Sequence, residues 1–254
     1  MMIKERQPVK IGFTKSTHPH KLCGIHLIFG PMFSGKTREL LRMVNRYKRQ
    51  GFETLLLRKS NTSRDGIDVE NLVSSRDGNE AEACIEVDSL LNMSDDVWKR
   101  IEKASIIAID EGQFLTGLIQ FCGHHVFNQK FVRNGVVEKK PLPFRSKLII
   151  IAMLNGDFLQ RPFQYSMGSD GSRVDLKEDS FSRCNYNVFD ITSWATKVTH
   201  LTSVCHYCCD DCASFTIRVD GDDLVITSDE KVNVIGSENY RAICCNCLIK
   251  INNL

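Results

Sequence analysis

The residues from Gly30 to Thr37 read GPMFSGKT and match the phosphate-binding pattern G-x-x-x-x-G-K-[ST] in full. An alternating apolar stretch precedes them and a segment with helical spacing follows, which is the context this pattern requires. The main-chain N–H groups of such a loop and the helix N-terminus cradle phosphate oxygens. Lys36 is expected to neutralise the β- and γ-phosphates of ATP, and Thr37 to offer its hydroxyl to Mg²⁺. The predicted ATP-binding residues of the loop are Gly30, Pro31, Met32, Phe33, Ser34, Gly35, Lys36 and Thr37.

A pair of carboxylates, Asp110 and Glu111, comes directly after the apolar run from Ile106 to Ile109. Asp110 is placed where a carboxylate that organises Mg²⁺ belongs. Glu111 could abstract a proton from an attacking hydroxyl group or water molecule. Because motor ATPases and helicases carry the same pair, these two motifs leave open which molecule accepts the phosphate.

Seven of the eleven cysteines lie in the last 50 residues, at positions 205, 208, 209, 212, 244, 245 and 247. Clustered C-x-x-C pairs in a chain expected in a reducing compartment are typical of a metal site rather than of disulfides. Four thiolates would bind a structural Zn²⁺. Cys244 and Cys247 have the spacing of one pair. For the other pair, spacing alone leaves Cys205-x-x-Cys208 and Cys209-x-x-Cys212 as alternatives.

A mostly parallel β-sheet is predicted to position these residues. Apolar runs at 54–57, 105–109 and 147–154 alternate with segments of helical periodicity, which indicates an α/β fold whose strands are covered on both faces. Ligands of such sheets bind beyond the carboxyl ends of the strands. The phosphate loop, Asp110-Glu111 and Asn155-Gly156 all follow strand ends, so that one crevice can contain them.

The chain is predicted to have three parts: a polar arm (1–22), a P-loop core (23–200) and a small zinc-binding domain (201–254). In the last part, the β-rich runs 215–219 and 224–227 predict a hairpin.

Two polar segments inside the core, 123–146 and 164–190, are predicted to be surface excursions. For the adjacent His124 and His125 two interpretations stay open: a solvated helix end, which the polar surroundings favour, and a chemical role.

Composition excludes some partners. The net charge of +2 gives no basic footprint for nucleic acid, and no stretch approaches the roughly 18 consecutive apolar residues of a membrane span. The N-terminus lacks an apolar signal core, so we expect a cytoplasmic location. Two rival functions stay open at this stage: a P-loop ATPase acting on nucleic acid, and a zinc-ribbon interaction protein with a structural nucleotide site.

Five motifs occur in order along the chain. They are Gly30-Pro-Met-Phe-Ser-Gly-Lys-Thr37, Asp110-Glu-Gly-Gln-Phe114, Asn155-Gly-Asp-Phe158 through Arg161-Pro-Phe163, Leu201-Thr-Ser-Val-Cys205, and Val234-Ile-Gly236 with Tyr240. Together they closely resemble the type II thymidine kinases, the cytosolic, zinc-containing family of animals, bacteria and large DNA viruses. The resemblance covers residues 24 to 250 apart from the two polar segments.

The resemblance implies a kinase that moves the γ-phosphate of ATP to the 5′-hydroxyl of thymidine. It implies that Glu111 is the general base, that Arg64 contacts the phosphates and that Gln113 lies near Glu111 and the nucleotide. It further implies a homotetramer. At Asn155 the chain departs from the family pattern, because an uncharged amide stands where the family usually has Asp.

The resemblance also implies which residues form the thymine pocket and which four cysteines bind zinc. The implied pocket residues are Met32, Phe114, Leu154, Phe158, Phe163 and Tyr240, together with the "lasso" loop residues Val232, Asn233, Val234, Ile235 and Gly236. Because the Leu201-Thr-Ser-Val motif places the first zinc ligand at Cys205, the implied ligands are Cys205, Cys208, Cys244 and Cys247. Cys209, Cys212 and Cys245 are then spectators.

Overall fold

A computed structural model of the protein describes residues 22–60, 72–74, 81–138, 146–161, 188–220, 225–226 and 239–252. The strands are β1 (Gly24–Gly30), β2 (Thr54–Lys59), β3 (Leu72–Ser74), β4 (Ala81–Ala83), β5 (Ile85–Val87), β6 (Ile106–Asp110), β7 (Val132–Arg133), β8 (Val136–Val137), β9 (Leu148–Leu154), β10 (Lys197–His200), β11 (Phe215–Arg218) and β12 (Tyr240–Ile243). The helices are α1 (Lys36–Arg49), α2 (Asp95–Lys103), α3 (Leu118–Phe127) and α4 (Cys245–Asn252), with 3₁₀ turns at Gly112–Phe114 and Val188–Trp194.

Six strands form the central sheet in the order β10-β1-β9-β6-β2-β5. All five pairings in it are parallel. The predicted α/β class is therefore confirmed, and the three apolar runs named above are β2, β6 and β9. Because parallel strands end at the same edge, β1, β6 and β9 deliver the phosphate loop, Asp110-Glu111 and Asn155 to one side of the molecule.

Alternate residues of the central strands build two apolar layers. On one face Ile25, Ile107 and Ile149 pack with residues of α2 and α3, including Trp98 and Phe121. On the other face the strands pack against α1, and this layer contains Ile28, Ala108, Ile150, Leu40, Leu41 and Val44. Strands buried on both faces have continuous apolar sequences, which is why β2, β6 and β9 could be predicted from the sequence.

The interpretation of His124 and His125 as a solvated helix end is wrong. Both lie in the last turn of α3, with only 1% and 2% of their surface exposed. The chain turns back after α3 and inserts Phe131, which stacks on Trp98 and contacts His124, each with ring centroids 5.4 Å apart. Trp98 and Phe121 contact the ring of His125. The first part of segment 123–146 is thus core helix rather than surface excursion.

The rest of that segment forms the small β7–β8 hairpin, whose valines are exposed, and residues 139–145 lie outside the described part of the chain. Of segment 164–190, only residues 188–190 are described. No helix among the described residues is long and apolar enough to cross a membrane.

The C-terminal part is built on an antiparallel pair. β11 pairs with β12, and an antiparallel bridge joins Val219 to Val225, as the predicted hairpin requires. The sequence interpretation did not foresee β12 as the main partner of β11. A small separate core, which includes Ile217, Ala242 and Ile243, lies beneath this pair.

Candidate active site

The phosphate loop connects β1 to α1 and curls around the carbonyl of Pro31. That oxygen accepts hydrogen bonds from Lys36 Nζ at 2.6 Å and from Ser34 Oγ at 2.9 Å. Two positive φ angles, 66° at Phe33 and 81° at Gly35, turn the chain sharply into the helix. The curl brings the start of α1 back toward the end of β1, as a phosphate-binding loop requires.

Thr37 and Asp110 meet at the carboxyl end of the sheet. Thr37 Oγ1 donates to both carboxylate oxygens of Asp110, at 3.1 and 3.3 Å. Both side chains are largely buried, and each comes from a different element, α1 and β6. A hydroxyl and a carboxylate held together beside a phosphate loop form a suitable ligand pair for the Mg²⁺ that accompanies ATP.

Glu111 is held by Gln113. Gln113 Nε2 donates to Glu111 Oε2 at 2.6 Å, and Gln113 Oε1 accepts from the N–H of Leu154 at 3.1 Å. Glu111 itself adopts φ 53°, a left-handed conformation that turns the chain away from β6 directly after Asp110. The turn and the amide together give the carboxylate of Glu111 a direction different from that of Asp110.

Five of the implied base-pocket residues are described: Met32 in the phosphate loop, Phe114 in the 3₁₀ turn after β6, Leu154 at the end of β9, Phe158 in the loop after it and Tyr240 in β12. Phe158 is buried, with the Arg218 guanidinium 5.8 Å from its ring centroid. Tyr240 pairs across the strands with Arg218 and is half-buried. Burial raises the pKa of Tyr240 and Arg218 opposes this, so the phenol stays neutral at physiological pH. Phe114 is 38% exposed, which leaves its ring available to a ligand.

Hydrogen bonds join the phosphate loop and the β9 end to β11. Thr216 Oγ1 accepts from the main-chain N–H of Met32 at 2.9 Å, and its carbonyl accepts from Gln160 Nε2 at 3.2 Å. Asn155 Nδ2 donates to the carbonyl of Ser214 at 2.7 Å. A carboxylate at position 155 could not donate this bond, so the departure from the family pattern has a structural counterpart here.

The sulfur atoms of Cys205, Cys208, Cys244 and Cys247 lie within 4.8 Å of one another. Burial alone would raise the pKa of Cys205, but main-chain N–H groups of Cys208, Cys244 and Tyr207 lower it to about 6. Burial and the neighbouring thiols raise the pKa of Cys247 to about 12, so that zinc binding at this group would release a proton. Four sulfurs form a complete structural set. The residues present therefore fit zinc.

The remaining cysteines of this region, Cys209, Cys212 and Cys245, are exposed and lie outside that group of four. Spacing alone could not choose between the two first pairs, and the fold places Cys205 and Cys208 beside Cys244 and Cys247. Cys205 is buried in the small C-terminal core, and Cys209 is exposed with a φ of 62°.

A family model described as thymidine kinase matches residues 23–168 and 171–248. The chain belongs to the thymidine kinase family. The match includes the phosphate loop, the Asp110-Glu111 turn, Asn155 and all four clustered cysteines.

Thymidine kinases of several organisms are similar along most of their length. The thymidine kinase of Yaba monkey tumor virus is 31% identical over 232 residues, covering 90% of this chain and 96% of the viral protein. That of Myxoma virus strain Lausanne is 30% identical over 224 residues, with coverage of 88% and 94%. Thymidine kinase 1 of Dictyostelium discoideum is 30% identical over 226 residues, with coverage of 88% and 76%.

Among the predicted site residues, the structure joins Thr37 to Asp110, and Glu111 through Gln113 to Leu154. Other predicted site residues lie outside its described part. Arg64, Phe163 and the lasso residues 232–236 are not among the described residues. Sequence reasoning missed Ser214 and Thr216, which connect β11 to the core. Nothing in their spacing marks them, since one hydrogen-bonds across 59 positions and the other across 184.

Proposed function

We propose that this protein transfers the γ-phosphoryl group of ATP to the 5′-hydroxyl of thymidine, giving thymidine monophosphate and ADP. The observation that carries the proposal is the Gln113-held carboxylate of Glu111, one residue beyond the Thr37–Asp110 pair and beside a phosphate loop. This arrangement supplies a proton acceptor next to a phosphate and metal site, and membership of the thymidine kinase family supports thymidine as the acceptor.

In the proposed reaction, Glu111 accepts the proton of the 5′-hydroxyl of thymidine. The hydroxyl oxygen bonds to the γ-phosphorus of ATP, and the bond from that phosphorus to the β–γ bridging oxygen breaks, so that ADP leaves. Lys36 and the loop N–H groups hold the β- and γ-phosphates, with Arg64 as a further cation. Mg²⁺ held by Thr37 and Asp110 would supply charge neutralisation on the transferring group. The remaining task of the chain is to position the two substrates in line.

We infer that the thymine ring binds between the β9 end and the C-terminal part of the chain. Met32, Phe114, Leu154, Phe158, Phe163 and Tyr240 would provide its apolar and aromatic walls, and the lasso residues 232–236 would close over it. A flat apolar site with main-chain groups for orientation suits a pyrimidine. Closure would exclude water and so limit the wasteful hydrolysis of ATP.

We also infer a structural Zn²⁺ at Cys205, Cys208, Cys244 and Cys247, a homotetramer and a cytoplasmic location. The four sulfurs join the loop before β11 to the chain after β12, so a bound ion would tie the two ends of this unit together. Four cysteine sulfurs would leave the ion no open coordination position, so its proposed role is stability rather than phosphoryl transfer.

The direct test is product formation. The purified protein is incubated with Mg²⁺ and ATP together with thymidine, deoxycytidine, deoxyguanosine or deoxyadenosine, and the nucleotides are separated. We expect thymidine monophosphate in an amount equal to the ADP formed. ADP release stimulated by DNA or RNA without any nucleoside would instead establish the nucleic-acid ATPase, and nucleotide binding without turnover would establish the zinc-ribbon interaction protein.

A further inference from the structure

A second group of potential metal ligands lies between α2 and α3. Oxygen or nitrogen atoms of Glu102, His124 and His125 all lie within 4.8 Å of one another. Glu102 is near the end of α2 and the histidines are in the last turn of α3. The histidines are almost fully buried, while 29% of the Glu102 side chain is exposed, which leaves a route from solvent to the group.

Two atoms of this group have no hydrogen-bond partner among the residues that the structure describes. His125 Nε2 and Glu102 Oε1 are both buried and unpartnered. His125 Nδ1 is 3.8 Å from Glu102 Oε1, too far for a hydrogen bond. Leaving a buried carboxylate oxygen without a partner is costly, so the position of Glu102 Oε1 beside His125 Nδ1 calls for an explanation. A separation of this size is close to that of two ligand atoms on one metal ion with bonds of about 2.0–2.2 Å.

The surroundings prepare the imidazoles for a metal. His124 Nδ1 lies 3.1 Å from the carbonyl of Gln129, and a metal-binding imidazole commonly donates its second ring N–H to such a carbonyl. Burial, and to a smaller extent the neighbouring His124 and Lys147, hold the pKa of His125 well below its usual range and keep the ring neutral. A neutral imidazole is the form that binds metal.

We propose that Glu102, His124 and His125 bind a divalent first-row transition ion of the zinc type, separate from the four-cysteine cluster. Two imidazoles and one carboxylate suit such an ion better than they suit Mg²⁺ or Ca²⁺, which prefer oxygen ligands. The nearby ammonium of Lys147 works against a cation. However, its Nζ is held by the carbonyls of Glu102 and Ala104, at 2.8 and 2.6 Å, and Glu102 carries the opposite charge.

The position of the group makes its role structural. Glu102 precedes β6, and the N–H of Lys147, which precedes β9, donates to the carbonyl of His125. The candidate catalytic residues lie at the other ends of these strands, on the order of 15 Å away at about 3.3 Å per residue. An ion here would clamp α2 to α3 without contacting the substrates.

Trp98 provides the probe for a test. Its ring centroid lies 5.7 Å from that of His124 and 5.2 Å from that of His125. The chain has two tryptophans, so a Trp194→Phe background leaves Trp98 alone. The reduced, full-length protein is given one equivalent of Zn²⁺, which the four thiolates take first, and is then titrated with Co²⁺ while Trp98 emission is recorded. Cobalt–thiolate absorption reports any Co²⁺ that enters the cysteine cluster.

We expect saturable quenching of Trp98 at one equivalent of Co²⁺ without cobalt–thiolate absorption. Glu102→Gln keeps the shape of this partly exposed side chain and removes its charge. His125→Phe keeps a ring against Trp98 and Phe121 and removes the nitrogen ligand. Each should weaken Co²⁺ binding at least about tenfold, because loss of an outer-shell partner alone weakens metal binding 10–100-fold. Glu53→Gln, which alters a neighbouring exposed carboxylate paired with Lys103, should leave binding unchanged.

The proposal is overturned if the parent protein shows no saturable quenching, or if Glu102→Gln binds Co²⁺ as tightly as the parent. Should His125→Phe fail to fold, as judged by circular dichroism, Glu102→Gln decides the question alone.

Discussion

Gln113 joins Glu111 to the end of β9: its Nε2 donates to Glu111 Oε2 at 2.6 Å, and its Oε1 accepts the N–H of Leu154 at 3.1 Å. The second bond fixes which end of the amide faces Glu111. Because Leu154 also belongs to the proposed thymine pocket, Gln113 positions both the Glu111 carboxylate and one wall of that pocket. Gln113 is a positioning residue in this arrangement.

Replacing Gln113 with Leu should lower kcat by up to about 100-fold, because a misplaced base is costly even when its chemistry is unchanged. The KM for ATP should change little. Steady-state kinetics with both substrates varied make the measurement. Gln50→Leu, a change at the exposed end of α1, is the matched control and should leave kcat unaltered. A normal kcat in Gln113→Leu would show that Glu111 keeps its position without the amide.

Glu111→Gln keeps the shape of the side chain and removes the proton acceptor. Turnover should fall on the order of 10²–10⁴-fold, while nucleotide binding is retained. The measurements are initial rates of thymidine monophosphate formation and ATP affinity by calorimetry. Near-normal turnover in this variant would remove Glu111 from the role of base.

Asn155→Asp restores the usual family residue and should nevertheless destabilise this protein. The carboxylate cannot donate to the carbonyl of Ser214 and places one oxygen against another. Asn155→Ala loses only the hydrogen bond, about 1 kcal/mol in the free energy of unfolding, so Asp should be the worse of the two. Urea unfolding of both variants tests this order, and an Asp variant at least as stable as the parent contradicts it.

Tyr240→Ala should raise the KM for thymidine far more than the KM for ATP, because Tyr240 is proposed to flank the base. Tyr240→Phe keeps the ring and serves as the control for the phenolic hydroxyl. Equal increases in both KM values for the alanine variant would indicate general loosening of β12 instead.

Single Cys→Ser substitutions test the zinc ligands. Cys205→Ser, Cys208→Ser, Cys244→Ser and Cys247→Ser should each lose zinc and lower thermal stability, since binding and folding of this unit are coupled. Cys209→Ser and Cys212→Ser should retain one zinc per chain at the cysteine cluster. The zinc content of each purified variant is measured. Full zinc in Cys205→Ser together with loss of zinc in Cys209→Ser would show that Cys209 and Cys212, not Cys205 and Cys208, form the first ligand pair.

The features that depend on short spacing could be predicted from sequence. The motif that starts at Gly30 identified Lys36 and Thr37, and the apolar run before Asp110 identified a buried parallel strand, because both patterns are complete within about ten residues. The burial of His124 and His125 could not be predicted in this way, since it depends on Trp98 of α2 and on Phe131, which lies beyond the end of α3.

Hydrogen bonds between residues far apart in the sequence could not be predicted either. Thr216 caps the N–H of Met32 from 184 positions away, and its residue type is ordinary for a strand. The role of Asn155 likewise required the position of Ser214. In both cases the meaning of the residue is set by a partner that only the tertiary fold supplies.

The sheet order places an unusual demand on synthesis of the chain. β1 is made first among the six strands, yet its neighbours are β9 and β10, which are made last. A ribosome adding roughly 5–20 residues per second takes about 6 to 24 s to pass from β1 to β9. Throughout that time the buried sequence GIHLIFG has neither edge paired. Nascent chains, and any product truncated before Lys197, therefore present an open apolar edge that favours aggregation and engagement by chaperones.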